Sequence, residues 1–130
     1  MNATTVDAHA LVSAARDLVR NDDAVTAGLW PRAAALLARQ GLELAMARLW
    51  DVTAPGLERT STRCQLLCVG EMLNDRELGG RATLTWQTLS NACHHRAYEL
   101  PPTASELNGA LEAVWDLAEA VERLRTKMQV

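Results

Sequence analysis

Apolar residues recur with a helical period in five segments of this chain, and hardly any segment alternates apolar and polar residues as a strand would. Four apolar residues near the start follow the i, i+3, i+4, i+7 spacing that places side chains on one face of a helix: Leu11, Ala14, Ala15 and Leu18. The pattern therefore predicts a first helix from about Thr5 to Arg20.

A second helix is predicted from Pro31 to about Trp50, because proline fits the first helical turn, where its missing N–H would have no partner. Apolar residues cover most of its circumference, which is typical of a helix at the centre of a bundle. A third helix, capped by Ser61 or Thr62 and ending near Asn74, is also expected to be mostly buried.

The second half of the chain predicts two more helices. Gly79-Gly80 is interpreted as a break, with the fourth helix following from about Arg81 to His95. Pro101-Pro102 excludes a continued helix there. The segment Thr103 to Glu106 has the capping-box pattern, which opens the last helix.

These segments predict an all-α fold, an antiparallel bundle of four to five helices. The length of 130 residues suits one core, and residues 1–130 are predicted to form a single helical-bundle domain. The net charge of −3 argues against a generally basic nucleic-acid binder. Three cysteines, no signal-peptide pattern and no long apolar run predict a cytoplasmic protein with reduced thiols and no membrane attachment.

Chemically versatile side chains concentrate where the fourth helix is predicted to end. The stretch from Asn91 to Pro102 holds two of the three histidines, an arginine and the only tyrosine. Helical geometry places His95 opposite the apolar arc, on the side of Asn91, and His94 on a flank. The partial negative charge of a helix C-terminus favours imidazolium, so either histidine can act as a general acid or base, contact phosphate, or simply cap the last carbonyls.

The cysteines allow a weaker hypothesis. Cys64 and Cys68 are one turn apart, and Cys93 with the adjoining histidines would complete a tetrahedral zinc site. All three cysteines fall on apolar arcs, however, where free cysteine behaves as a small hydrophobe. Most of the four tryptophans are likewise better explained by core packing than by base stacking. We therefore expect no metal and no cofactor.

With histidines near the end of its fourth helix, the chain resembles the HEPN superfamily (higher eukaryote and prokaryote nucleotide-binding) over roughly Ala8 to Arg125. Many members are metal-independent ribonucleases in toxin–antitoxin or defence systems. Their motif is an arginine, commonly followed by a polar residue such as Asn, and then a histidine four to six residues further on. Asn91 and His95 match the polar residue and the histidine, whereas Ser90 stands at the arginine position.

The resemblance implies catalytic positions at Asn91 and His95, and a surrounding set of ligand-binding residues: Ser90, His94, Arg96 and Tyr98. Serine lacks the charge that would stabilise the transition state. The chain is therefore expected to bind RNA, a nucleotide or a protein partner, with catalysis degraded. The resemblance also implies a homodimer with Asn91 and His95 near the interface cleft, and a nucleotidyltransferase-type antitoxin as a partner.

Two alternatives stay open. A metal-independent endoribonuclease would use His95 as general acid or base and take its positive charge from Arg59, Arg63 or Arg81, brought near by the fold or by a dimer. A protein-interaction module without a nucleic-acid role would receive a partner helix in an apolar groove. Such a module would show a large exposed apolar patch away from the histidines.

Overall fold

The computed structural model describes residues 7–20, 30–94 and 100–129. In these ranges the chain forms only helices: α1 (Ala8–Arg20), α2 (Trp30–Thr53), α3 (Thr62–Leu73), α4 (Arg76–Cys93) and α5 (Ala104–Met128), with a short 3-10 helix, Leu57–Arg59, between α2 and α3. The prediction of an all-α bundle of four to five helices is confirmed. None of the helices in the described ranges combines the length and apolar character that crossing a bilayer requires.

α2 and α5 form the centre of the bundle. They run in the same direction, since Gly41 lies against Val114 and, two turns later, Arg48 pairs with Glu122. This pair of helices therefore departs from the antiparallel arrangement predicted for the bundle. α1 and α4 each pack against both central helices but not against each other in the described residues, so they lie on opposite sides. Nine residues of α2 are buried, from its first turns to Trp50, which confirms the prediction that this helix is central.

Side-chain caps set the start of four helices. Asp7, Ser61, Asp75 and Thr103 each accept a hydrogen bond from the backbone N–H three residues further on, at 2.8, 3.2, 3.0 and 3.1 Å. Each bond satisfies one of the N–H groups that have no partner within the first turn of a helix. The predicted cap at Ser61 and the predicted start of the last helix at Thr103 are confirmed.

The predicted helix break at Gly79-Gly80 is wrong. α4 begins at Arg76, and both glycines lie inside it. α3 and α4 form an antiparallel hairpin so close that a Cβ on Gly79 would lie 2.8 Å from both Cα and N of Gly70. Glycine at this position therefore permits two helix backbones to touch, rather than ending a helix.

α3 lies at the edge of the bundle, so the prediction that it is mostly buried is also wrong. Of its residues only Leu66 and Val69 are buried, while Leu67 is 73% exposed. α3 packs mainly against α4 and touches α2 and α5 only slightly. The outer part of its broad apolar face consequently points to solvent.

Candidate functional site

The polar residues singled out in the sequence lie around the last turn of α4. Ser90 and Asn91 belong to the helix, and His94 is its C-cap residue, whose backbone N–H donates to Ser90 O at 3.1 Å. Three further predicted residues lie outside the described residues: His95, Arg96 and Tyr98. Within its described part, the structure therefore brings together three of the six predicted site residues.

Asn91 and His94 are exposed, whereas the hydroxyl of Ser90 points inward. Residues three apart are neighbours on a helix surface, so the amide of Asn91 and the imidazole of His94 can contact one ligand together. Ser90 Oγ is buried and has no hydrogen-bond partner among the described residues. The serine at the motif's arginine position thus keeps its polar group away from the surface that its neighbours share.

No arginine stands in the last turn of α4 within the described residues. Arg81 pairs with Asp116 at 2.9 Å and precedes His94 by thirteen residues, about 20 Å along the helix. Arg63 lies seven residues before Gly70, and Gly70 lies against Gly79 of α4. In the antiparallel hairpin Arg63 is therefore level with Trp86, seven residues after Gly79 and two turns before the end of α4. Neither arginine stands beside Asn91 and His94 within one copy of the chain.

The outward face of α4 is a continuous exposed stripe. Its five members recur at spacings of four and three residues and fall within an arc of about 80°: Gly80, Leu84, Gln87, Asn91 and His94. We call these residues the α4 stripe. Leu84, in the middle, is 65% exposed, so the stripe is apolar at its centre and polar at its C-terminal end.

A second exposed leucine flanks the α4 stripe. Leu67 lies three residues before Gly70, on the side of α3 that faces α4. At 73% exposure it extends the apolar centre of the stripe across the hairpin towards α3. Gly80, which has no side chain, leaves the surface open between Leu67 and Leu84.

The cysteines do not converge. Cys64 is exposed and Cys68 half-buried on α3, and Cys93 is buried at the end of α4. Among the described residues, no group of three or more His, Cys, Asp or Glu is placed to hold a metal ion. The described residues therefore do not form the zinc site that would join the cysteines to the histidines.

A second polar cluster, which the sequence did not indicate, joins α1 to α5. His9 Nε2 lies 2.8 Å from Glu119 Oε1, and the His9 ring meets Trp115 edge-on with the ring centroids 4.3 Å apart. The Arg16 guanidinium lies 5.1 Å from the Trp115 ring centroid. The contact between His9 and Glu119 joins α1 to α5 and fixes the orientation of the imidazole. Catalytic histidines are held in the same way, by a carboxylate on one ring nitrogen.

Glu119 also borders a cleft between the start of α4 and the middle of α5. The cleft has a volume of about 370 Å³, and its wall carries six charged side chains: Asp75, Glu77, Arg81, Asp116, Glu119 and Arg123. Carboxylates outnumber arginines in this wall by four to two. The cleft therefore lacks the excess of positive charge that binding to nucleic-acid phosphates requires.

No protein-family model, no curated protein and no solved structure matches this chain. The resemblance to the HEPN superfamily therefore rests on the order of the helices and on the short motif at the end of α4.

Proposed function

We propose that this chain is a HEPN-like helical domain that binds its ligand as a homodimer and in which catalysis is degraded. The observation that carries the proposal is the α4 stripe, which combines an exposed apolar centre with an exposed amide and imidazole at one end. Large exposed apolar side chains grouped on one surface are typical of an interaction site. Leu67 and Leu84 are such a group.

A symmetric dimer explains this combination of residues. In a two-fold contact the same surface is used by both copies, so Leu84 of each copy would be buried by the other. Asn91 and His94 would then stand at the rim of the interface. There they can bind a ligand that contacts both subunits.

The ligand proposed for this rim is single-stranded RNA or a nucleotide. The amide of Asn91 offers hydrogen-bond donors and an acceptor, and the neutral imidazole of His94 offers one donor and one acceptor. Such groups suit the edges of unpaired bases. In the described residues neither Arg63 nor Arg81 lies beside this rim, and four arginines elsewhere are paired with carboxylates: Arg39, Arg48, Arg81 and Arg125. We therefore expect a binding affinity that depends only weakly on salt concentration.

Degraded catalysis follows from the missing charge. A ribonuclease of this motif uses its arginine to stabilise negative charge in the transition state, an effect that a neutral hydroxyl cannot reproduce. Ser90 occupies that position and its Oγ is buried. Asn91 and His94 can still hold a base or a ribose.

Sedimentation velocity over a range of concentrations tests the dimer with Leu84→Glu. We expect the dissociation constant of the variant dimer to be about 100-fold or more above that of the wild type, because two-fold symmetry would bury two glutamates. The matched control is Leu36→Glu on α2, which replaces a leucine that is 48% exposed on another helix. A wild-type chain that is monomeric throughout, or equal dissociation of both variants, would contradict the proposed interface.

Fluorescence anisotropy with labelled single-stranded RNA tests the ligand. Asn91→Ala and His94→Ala should each weaken binding about 10-fold, the loss expected for one or two hydrogen bonds. Gln40→Ala, at an exposed position of α2, should have no effect. The same RNA, incubated with wild type and His95→Ala in EDTA, distinguishes the alternative activity: cleavage by wild type alone would support a metal-independent endoribonuclease.

The exposed leucines also favour a second candidate, a protein-interaction module. Leu84 and, across the hairpin on α3, Leu67 lie about three turns from His94, away from the histidine end of α4. A monomeric chain that binds neither RNA nor nucleotides would direct attention to a heterologous protein partner on this patch. A nucleotidyltransferase-type antitoxin is the partner proposed from the resemblance.

A further inference from the structure

The solvent-facing side of α3 carries three sulfur-containing side chains, each one helical turn from the next. They are Cys64, Cys68 and Met72, which are exposed, half-buried and 37% exposed. Ser61 caps the helix by accepting a hydrogen bond from the backbone N–H of Cys64. The Cys64 thiol takes no part in this contact, and Cys64 is exposed. Neither thiol is part of a disulfide.

The spacing of the two cysteines suits a metal ion shared between them. Residues four apart on a helix have Cβ atoms about 5–6 Å from each other. Two metal–thiolate bonds of about 2.3 Å span about 4.6 Å when they are collinear. Because each thiol sulfur can rotate about its Cα–Cβ bond, the sulfur atoms of Cys64 and Cys68 can reach that separation without a change in the helix.

The number of donors decides which ions fit. Met72 is eight residues from Cys64, about 12 Å along the helix, so its thioether cannot join both thiolates on one ion. No set of three or more His, Cys, Asp and Glu in the described residues is arranged to bind a metal. Two sulfur donors leave a zinc ion short of its four ligands, whereas Cu(I) prefers soft sulfur and accepts two.

We propose that Cys64 and Cys68 form a two-coordinate binding site for Cu(I) on the exposed face of α3. Binding forms two Cu–S bonds, releases the two thiol protons to solvent and leaves the oxidation state of copper unchanged. The resulting bis-thiolate carries a net charge of −1 and lies in the first turns of α3, where the helix dipole favours an anion. The site is independent of the homodimer and of RNA binding.

Competition with a chromophoric chelator tests the site. The reduced full-length chain is titrated without oxygen into Cu(I) held by bathocuproine disulfonate, and the loss of the chelator's colour reports transfer. We expect one Cu(I) per chain. Cys64→Ser and Cys68→Ser should each weaken binding about 100-fold or more, since each removes one of two direct ligands.

Two controls separate chelation from binding to any free thiol. Cys93→Ser removes a buried thiol elsewhere and should leave the affinity unchanged. The double variant Arg63→Cys with Cys64→Ser keeps the number of thiols but places two of them about 140° apart on the helix. It should bind as weakly as Cys64→Ser.

Three results of the Cu(I) titrations would overturn the site. They are a wild-type chain that takes no Cu(I), single serine variants at positions 64 and 68 that bind like wild type, and a double variant Arg63→Cys with Cys64→Ser that binds as tightly as wild type. Circular dichroism of each variant confirms that α3 is still folded. Zinc in the same titration should bind far more weakly than Cu(I), and equal binding of the two ions would also contradict a two-coordinate site.

Discussion

Replacing Gly79 by alanine tests whether α3 and α4 are held together by direct backbone contact. The new Cβ would lie 2.8 Å from Gly70 Cα and 2.8 Å from Gly70 N. Carbon atoms pack favourably at about 3.5–4.0 Å, so the contact is strongly repulsive. Both Gly70 atoms belong to a helix backbone and cannot rotate away. The two helices must therefore separate by up to about 1 Å at this point.

Two opposing effects decide the change in stability. Alanine in a helix is more favourable than glycine by about 0.5–1 kcal/mol, whereas overpacking costs about 1–3 kcal/mol. At Gly79 the overpacking prevails, and we expect the free energy of unfolding to fall by about 1–2 kcal/mol. At Gly80 an added Cβ meets no atom within 4 Å in the described part of the chain. Gly80→Ala should therefore raise the free energy of unfolding by about 0.5–1 kcal/mol.

Urea unfolding followed by far-UV circular dichroism measures both values. The two glycines are adjacent in one helix, so the effects of the substitution on helix propensity and on the unfolded chain largely cancel between the variants. The remaining difference of about 1.5–3 kcal/mol reports the contact with Gly70. Equal stability of Gly79→Ala and Gly80→Ala, at an unchanged m-value, would refute the close approach of α3 and α4.

Two further predictions concern polar contacts. Gln65 Oε1 accepts a hydrogen bond from Nε1 of the fully buried Trp50 at 2.9 Å. Gln65→Ala should therefore lower the free energy of unfolding by about 1–3 kcal/mol and alter the tryptophan emission, while Gln40→Ala stays within about 0.5 kcal/mol of wild type. A double-mutant cycle of His9→Ala and Glu119→Ala should give a coupling energy below about 1 kcal/mol, because these side chains are 25% and 46% exposed. A coupling of several kcal/mol would rule out a simple surface pair.

Several elements of the fold could be predicted because their signals are local. The period of apolar residues indicated the five helices, and the side chains of Ser61 and Thr103 marked two of their starts. The central place of α2 followed from its apolar circumference. Such signals depend on residues within one or two turns of each other, which a single sequence contains.

The orientation of the helix faces was harder to predict. In α1 the predicted stripe included Leu11 and Ala14, but the structure buries Val12 and exposes Ala14. Both arcs of α1 are apolar enough to face a core, and the position of α2 and α5 decides between them. α3 has the same ambiguity: its broad apolar face predicts burial, yet only α4 covers it extensively.

The polar residues also include some that the sequence indicated and some that only the structure brings together. Asn91 and His94 could be found in the sequence because chemically active residues cluster there, and their exposure at the end of α4 agrees with the helical geometry predicted for that segment. The contact of His9 with Glu119 could not be found, because 110 residues separate the partners.

By itself, then, the sequence indicated the five helices, two of their caps and the segment where polar chemistry gathers. Only the tertiary structure decided which apolar faces are covered and which distant side chains meet. It also decided that the glycine at position 79 permits a backbone contact with position 70 instead of ending a helix. The physical reason is that periodicity and capping act within a few residues along the chain, whereas burial and side-chain pairing depend on which helices become neighbours.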